Sequence, residues 1–168
     1  GYLEVVARTS EKRQQDWCLQ YVNALLTRDI LDVAAISKTA QLPKLLSIVA
    51  QMAGNLSNAA KVAGEIGIDR KTAAKYIHLL EQMYLIREIP SWSTNEISRV
   101  VKSAKIHFID SAILATLFGQ NKATLVRDRS AMSALTESFV LSELLKMASY
   151  SPAYYRFTHY RDAAKNEV

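Results

Sequence analysis

The chain has 168 residues, 49% of them hydrophobic, which is enough for one domain with its own core or a small domain plus a fragment. Its few prolines and glycines and its lack of repeats or low-complexity stretches exclude a disordered or repeat protein. A net charge of +5 favours contact with polyanions without identifying one.

Cysteine content and hydropathy indicate the cellular compartment of the protein. The single cysteine, Cys18, excludes an internal disulfide, and no Cys/His set has the spacing of a structural zinc site. No apolar run approaches the roughly 18 residues that span a bilayer, and the N-terminus has no signal-peptide pattern. We therefore expect a cytoplasmic protein with no membrane partner. The first residue, Gly1, and the last, Val168, indicate a chain cut from a longer one.

The N-terminal third predicts helices. Apolar residues recur at helical spacing between Glu11 and Ala35, which predicts one or two helices there. A further helix is predicted from Leu42 to Ala53, with Pro43 in its first turn and Gly54 as a left-handed stop.

The next segment has the pattern of two short helices joined by a tight turn. Ser57 is a predicted cap for the first helix and Gly67 a predicted stop. Asp69 is a predicted N-cap for a helix from Arg70 to about Met83. At about 100° per residue, this helix has one core face and one polar, basic face. The polar face carries Arg70, Lys71, Ala74, Lys75 and His78, and the core face carries Ala73, Tyr76, Ile77, Leu80 and Met83.

Two strands are predicted after these helices. Leu85–Ile89 ends at Pro90, and Lys105–Ile109 has the β-branched and aromatic content of a strand. The connection Ser91–Ala104 is long, polar and basic. This order of elements is typical of a winged helix, which predicts double-stranded DNA as a partner. The predicted nucleic-acid contacts are Arg70, Lys71, Lys75, His78, Arg99, Lys102 and Lys105.

The rest of the chain changes character. Asp110 and Ser111 predict the start of a helix that ends near Gly119, and a polar linker follows from Gln120 to Ser130. A helix is predicted from Ala134 to Ser149. The aromatic residues of Tyr154–Tyr160 predict a strand that begins a second unit.

Several motifs together resemble one family. They are Gly1–Glu4, Trp17, Arg28–Ile30, Tyr76–Glu81, Tyr84–Ile86, Lys102–Asp110, Glu137–Val140, Tyr160–Asp162 and Glu167–Val168. In this combination the chain resembles the C-terminal region of prokaryotic AAA-type putative ATPases, a domain of unknown function. The chain departs from that pattern at Ala112, where glycine is usual, and at His107, where tyrosine is common.

This resemblance implies an AAA-type ATPase domain in the same protein and a restriction-endonuclease-like fold after the winged helix. Glu137 matches the glutamate of that fold's first helix, and Glu167–Val168 match a Glu-Val pair that precedes its aspartate. The aspartate is absent from the chain, so we expect this nuclease-like part to be truncated and inactive here.

The expected fold is mainly α: a winged helix-turn-helix with extra N-terminal helices, followed by a partial α+β restriction-endonuclease-like segment. Residues 1–55 are expected to be N-terminal helices packed on the winged helix. Residues 56–119 are expected to be the winged helix with its hairpin, and 134–168 the partial nuclease-like segment.

Three functions stay open from the sequence: a DNA-binding or regulatory module, a protein-interaction module that couples an ATPase domain to a partner, and an inactive nuclease fragment. Four carboxylates could bear on the third: Glu137, Glu143, Asp162 and Glu167. Placement near a helix start explains Glu137 and solvation explains Glu143 better than a metal, and neither catalytic nor metal-binding residues are expected in the chain. The chain has no phosphate-binding Gly-rich loop, and no cofactor is expected in it. Whether the protein as a whole is an enzyme stays open.

Overall fold

A computed structural model describes residues 2–33, 41–93 and 103–161, without the side chains of residues 28–33. The elements, in chain order, are α1 (Leu3–Val6), α2 (Glu11–Val33), α3 (Leu42–Ala50), α4 (Ala59–Ile66), α5 (Arg70–Gln82), β1 (Ile86–Ile89), β2 (Lys105–Phe108), α6 (Ser111–Leu117), α7 (Lys122–Arg127) and α8 (Met132–Tyr150). The protein is therefore mainly helical with a small sheet. Within these ranges, no helix is both long and apolar enough to cross a lipid bilayer.

The N-terminal helices follow the sequence pattern. A single helix, α2, covers most of the region predicted to hold one or two. α3 begins with Pro43 in its first turn but ends at Ala50, three residues before the predicted Ala53. The three residues after α3 form turns instead, and Gly54 then adopts a φ of +75°. Glycine adopts this left-handed backbone without strain, so Gly54 allows the turn that brings the chain to β2.

The helix-turn-helix unit forms as predicted, with one correction. Asn58, not Ser57, caps α4, because its side chain accepts a 3.0 Å hydrogen bond from the Lys61 N–H. Ser57 instead donates its backbone N–H to the Ala104 carbonyl at 2.7 Å. Gly67 ends α4 with a φ of +80°, as its position in the sequence predicts.

The two strands form the predicted antiparallel pair, in which Ile86 lies opposite Phe108 and Ile89 opposite Lys105. β2 also has hydrogen bonds on its other edge. Gly54 donates to the Ile106 carbonyl at 2.8 Å, and the Ile106 N–H donates to Asn55 at 2.9 Å. All four residues of β2 are consequently buried.

One apolar core joins the helices that were predicted as N-terminal additions to the helix-turn-helix unit. α3 contacts α4, α5 and α6, and α2 packs along α6. The most deeply buried large side chains include Leu42, Leu45, Leu80, Ile86 and Phe108. The core therefore runs continuously from α2 to the sheet and supports α5 from behind.

The C-terminal third departs from prediction in two places. The expected linker contains the short helix α7, whose Asn121 forms a capping box with Thr124. The strand predicted at Tyr154–Tyr160 does not form. Residues 154–158 pair with no other strand, and His159 makes only an isolated bridge to Ser91. Residues 103–161 thus show no sheet after α8. The motif residues Asp162, Glu167 and Val168 lie outside the described residues.

Candidate nucleic-acid interface

The basic face predicted for α5 is exposed. Arg70, Lys71, Lys75 and His78 are all solvent-exposed, and Ala74 lies among them. The opposite face is buried and contributes Ala73, Tyr76, Ile77, Leu79 and Leu80 to the core. The helix therefore presents its cations outward while its apolar side fixes its orientation.

The cations on this face are available to a ligand. Arg70, Lys71 and Lys75 form no ion pair with any residue that the structure describes. His78 is different, because its Nδ1 lies 3.9 Å from Glu81 on the same helix. Three unpaired positive side chains on the first two turns of one helix can neutralise phosphates of a polyanion.

The N-terminus of α5 is already occupied by its own cap. Asp69 accepts hydrogen bonds from the Thr72 hydroxyl at 2.6 Å and from the Thr72 N–H at 2.9 Å. These bonds, that of the hydroxyl foremost, hold the pKa of the Asp69 carboxyl below its ordinary value. A negative charge at this point opposes a phosphate bound by the helix dipole. Attraction to a polyanion must therefore come from the side chains.

Lys105 is the predicted contact that the structure corrects. Lys105 is buried, with only 11% of its side chain exposed, and its ammonium lies 2.8 Å from the Glu137 carboxylate of α8. Because the strand turns this lysine toward α8, it does not lie on the surface with the α5 cations. Arg99 and Lys102, the other two predicted contacts of the connecting loop, lie outside the described residues.

The base of this loop is tied to the C-terminal segment. The Trp92 N–H donates to the His159 carbonyl at 2.7 Å, and the His159 N–H donates to Pro90 at 3.0 Å. The rings of Trp92 and Tyr160 meet edge to face at 5.8 Å between centroids. The contacts favour an anchoring role for Trp92 over stacking on a nucleic-acid base.

A polar junction between β2 and α8 has no counterpart in the sequence analysis. Beside the Lys105–Glu137 pair lies His107, whose burial lowers its pKa to about 4. The junction also holds His159, whose Nε2 lies 3.2 Å from the Ser103 carbonyl. Glu137 and His159 lie far from β2 in the sequence. Only Lys105 and His107, which are two positions apart and so share one face of the strand, could have signalled the junction.

Of the carboxylates considered for metal binding, the structure describes Glu137 and Glu143, and each of these bonds a lysine. Glu137 bonds Lys105 and accepts from the Ser133 hydroxyl at 3.1 Å, while Glu143 pairs with Lys146. No group of three or more His, Cys, Asp or Glu side chains within residues 2–33, 41–93 and 103–161 is placed to hold a metal ion. Asp110 caps α6, as its sequence position predicts.

Residues 1–124 match the family model described as a domain of unknown function, DUF8612. The chain belongs to this family. Its matched part covers α1 to α6 with the helix-turn-helix unit and the sheet, and it stops before α8.

Two curated relatives are similar to the chain: the uncharacterized protein Rv2008c of Mycobacterium tuberculosis and the uncharacterized protein Mb2031c of Mycobacterium bovis. Each is 25% identical over 139 residues, which cover 83% of this chain and 32% of the relative. The chain thus spans about a third of the length of these relatives.

One solved structure also aligns with the chain, that of Lactococcus lactis ZitR, wild type, in complex with DNA. The identity is 17%, the alignment covers 84% of this chain and 97% of the other, and the TM-score is 0.34. A likeness this distant carries no argument about function.

Proposed function

We propose that this chain is a winged-helix module that binds double-stranded DNA through the exposed face of α5. The observation that carries the proposal is the separation of α5 into a buried apolar face and an exposed face with three cations. These cations, Arg70, Lys71 and Lys75, form no ion pair with a described residue. A helix held this way behind a tight turn can enter a major groove with its first two turns.

The surrounding elements support the same reading. α4 packs against α5 through a turn at Gly67, and the antiparallel strands follow directly. The segment between the strands carries Arg99 and Lys102 in its sequence, and we propose these two residues as a second contact. Asp69 and the Glu81 carboxylate near His78 limit the positive potential, so we expect weak binding with little sequence preference.

The setting of the module is also a proposal. An AAA-type ATPase domain in the same protein rests on the family resemblance, and the greater length of the curated relatives leaves room for further domains. A cytoplasmic location is consistent with DNA as the partner. Coupling of such a domain to a protein partner is the alternative, favoured by the mixed charge around α5. A nuclease role has no support from the described residues, where Glu137 bonds a lysine.

The test is binding of a fluorescent duplex, measured by anisotropy at two salt concentrations. Replacing Arg70, Lys71 and Lys75 together by alanine should weaken binding by roughly tenfold or more and flatten the dependence on salt, because fewer counterions are released.

The matched control replaces Lys12, Arg13 and Arg129 together by alanine. These three residues are exposed cations that lie outside α5. This variant loses the same number of positive charges from other positions, so it should keep most of the affinity if the contact is local. Equal losses in both variants would show that only overall charge matters. Unchanged binding in the α5 variant would remove α5 from the interface.

A further inference from the structure

α8 is a helix with apolar side chains on nearly all sides. Its inner side contacts α6 and β2, where Leu135, Ser138 and Ser142 are buried. Its outer side exposes large apolar residues, among them Phe139 at 52%, Met147 at 68% and Tyr150 at 88% exposure. Met132, Val140 and Leu144 are also exposed. A surface helix of a folded protein rarely leaves such a face in water, which indicates that another surface covers it.

The outer side contains a regular stripe. Met132, Thr136, Phe139, Glu143, Lys146 and Tyr150 follow one another at alternating intervals of four and three residues. This is the spacing by which one helix packs along another in a coiled coil. Val140 and Met147 widen the stripe on the side away from the core.

The order of residues along this stripe is complementary to itself when it is reversed. If two copies of α8 run antiparallel about a point between Leu144 and Leu145, Phe139 lies opposite the second copy's Tyr150. Glu143 then lies opposite the second copy's Lys146, and by symmetry each pair occurs twice. Two pairs of opposite charges thus lie at the centre of the seam, with one aromatic pair on each side of them.

We propose that α8 is a self-association surface, and that its occupant is a second copy of this chain packed antiparallel along the stripe. Charge complementarity favours this occupant. Glu143 and Lys146 already bond each other within one helix and are both about half exposed, so each can exchange its partner for the one in the second copy. In a parallel pair or in an antiparallel pair shifted by one turn, these two residues would not face each other.

The size of the surface sets the affinity. In this register the two copies of α8 overlap from Phe139 to Tyr150, so the seam is about 18 Å long, which is at the small end of specific interfaces. The chain's net charge of +5 also opposes pairing, although the stripe itself carries one charge of each sign. We therefore expect a dimer with a dissociation constant on the order of 10 µM.

The test is sedimentation of the whole chain with charge-reversed variants. Glu143→Lys and Lys146→Glu should each weaken self-association by about tenfold or more, because each places two like charges opposite each other. An equimolar mixture of the two variants should associate like the parent, because opposite charges then face each other again. The double variant Glu143→Lys/Lys146→Glu should associate with itself.

The mixture separates this proposal from an effect within one helix, because mixing changes no contact inside either chain. Circular dichroism of each variant checks that α8 is intact. A parent chain that stays monomeric at about 200 µM would overturn the proposal. So would single variants that dimerise as tightly as the parent, or folded single variants whose mixture stays monomeric. Because the DNA-binding cations lie on α5, either proposal can fail without the other.

Discussion

Replacing Glu137 by alanine tests the ion pair that joins β2 to α8. The Lys105 ammonium lies 2.8 Å from the Glu137 carboxylate in the folded protein. Without this carboxylate, the ammonium stays in a site where little water reaches it, next to the buried ring of His107. The variant should therefore be less stable than the parent at neutral pH.

The exposures of the two side chains bound the size of the effect. Pairs that are exposed on both sides contribute at most about 1 kcal/mol, whereas removing one partner of a buried pair costs about 3–5 kcal/mol. Lys105 is 11% exposed in its side chain and Glu137 40%, so the pair lies between these limits. We expect a loss of about 2 kcal/mol in the free energy of unfolding.

Urea denaturation followed by circular dichroism measures the loss as a shift of the midpoint at unchanged slope. Glu65→Ala is the matched control, since Glu65 is an exposed glutamate in α4 that forms no ion pair with a described residue. The double variant Lys105→Met/Glu137→Leu should recover most of the stability, because no charge is then left buried. If Glu137→Ala costs no more than Glu65→Ala, the pair does not stabilise the junction.

Two further predictions concern stability. The pKa of His107 is lowered by burial to about 4, so as the pH falls the unfolded chain binds a proton before the folded one. The free energy of unfolding should therefore fall by about 2 kcal/mol from about pH 7 to pH 5. His107→Phe should lose much of this pH dependence in urea titrations at the two pH values, and an unchanged dependence would assign it to other groups. Gly67 has a φ of +80° with open space where an added Cβ would lie, so Gly67→Ala should cost about 1 kcal/mol through backbone strain alone. Gly67→Asn should cost less in thermal unfolding. Equal costs of the two variants would point to a cause other than the left-handed backbone.

The fold near α5 could be predicted because its signals are local. A cap such as Asp69 acts on an amide three residues away, and a stop such as Gly67 acts on the turn that contains it. The two faces of α5 follow from the helical period alone. The one error in this region is the cap of α4, which is Asn58 and not Ser57. The two residues are adjacent and have similar capping ability. Ser57 is instead joined to Ala104, far along the chain, by its backbone N–H.

The sequence by itself therefore determined the helix-turn-helix unit and the basic face, since each depends on residues within a few positions of one another. The two strands could also be predicted, each from its own β-branched and aromatic residues. Tertiary structure decided what happens where segments meet. Lys105 has the charge of a DNA contact, yet its partner lies 32 residues later in the chain. Trp92 is held by His159, and the aromatic segment after α8 forms no strand. Such outcomes depend on which surfaces come together in the fold, and periodicity along the chain carries no information about them.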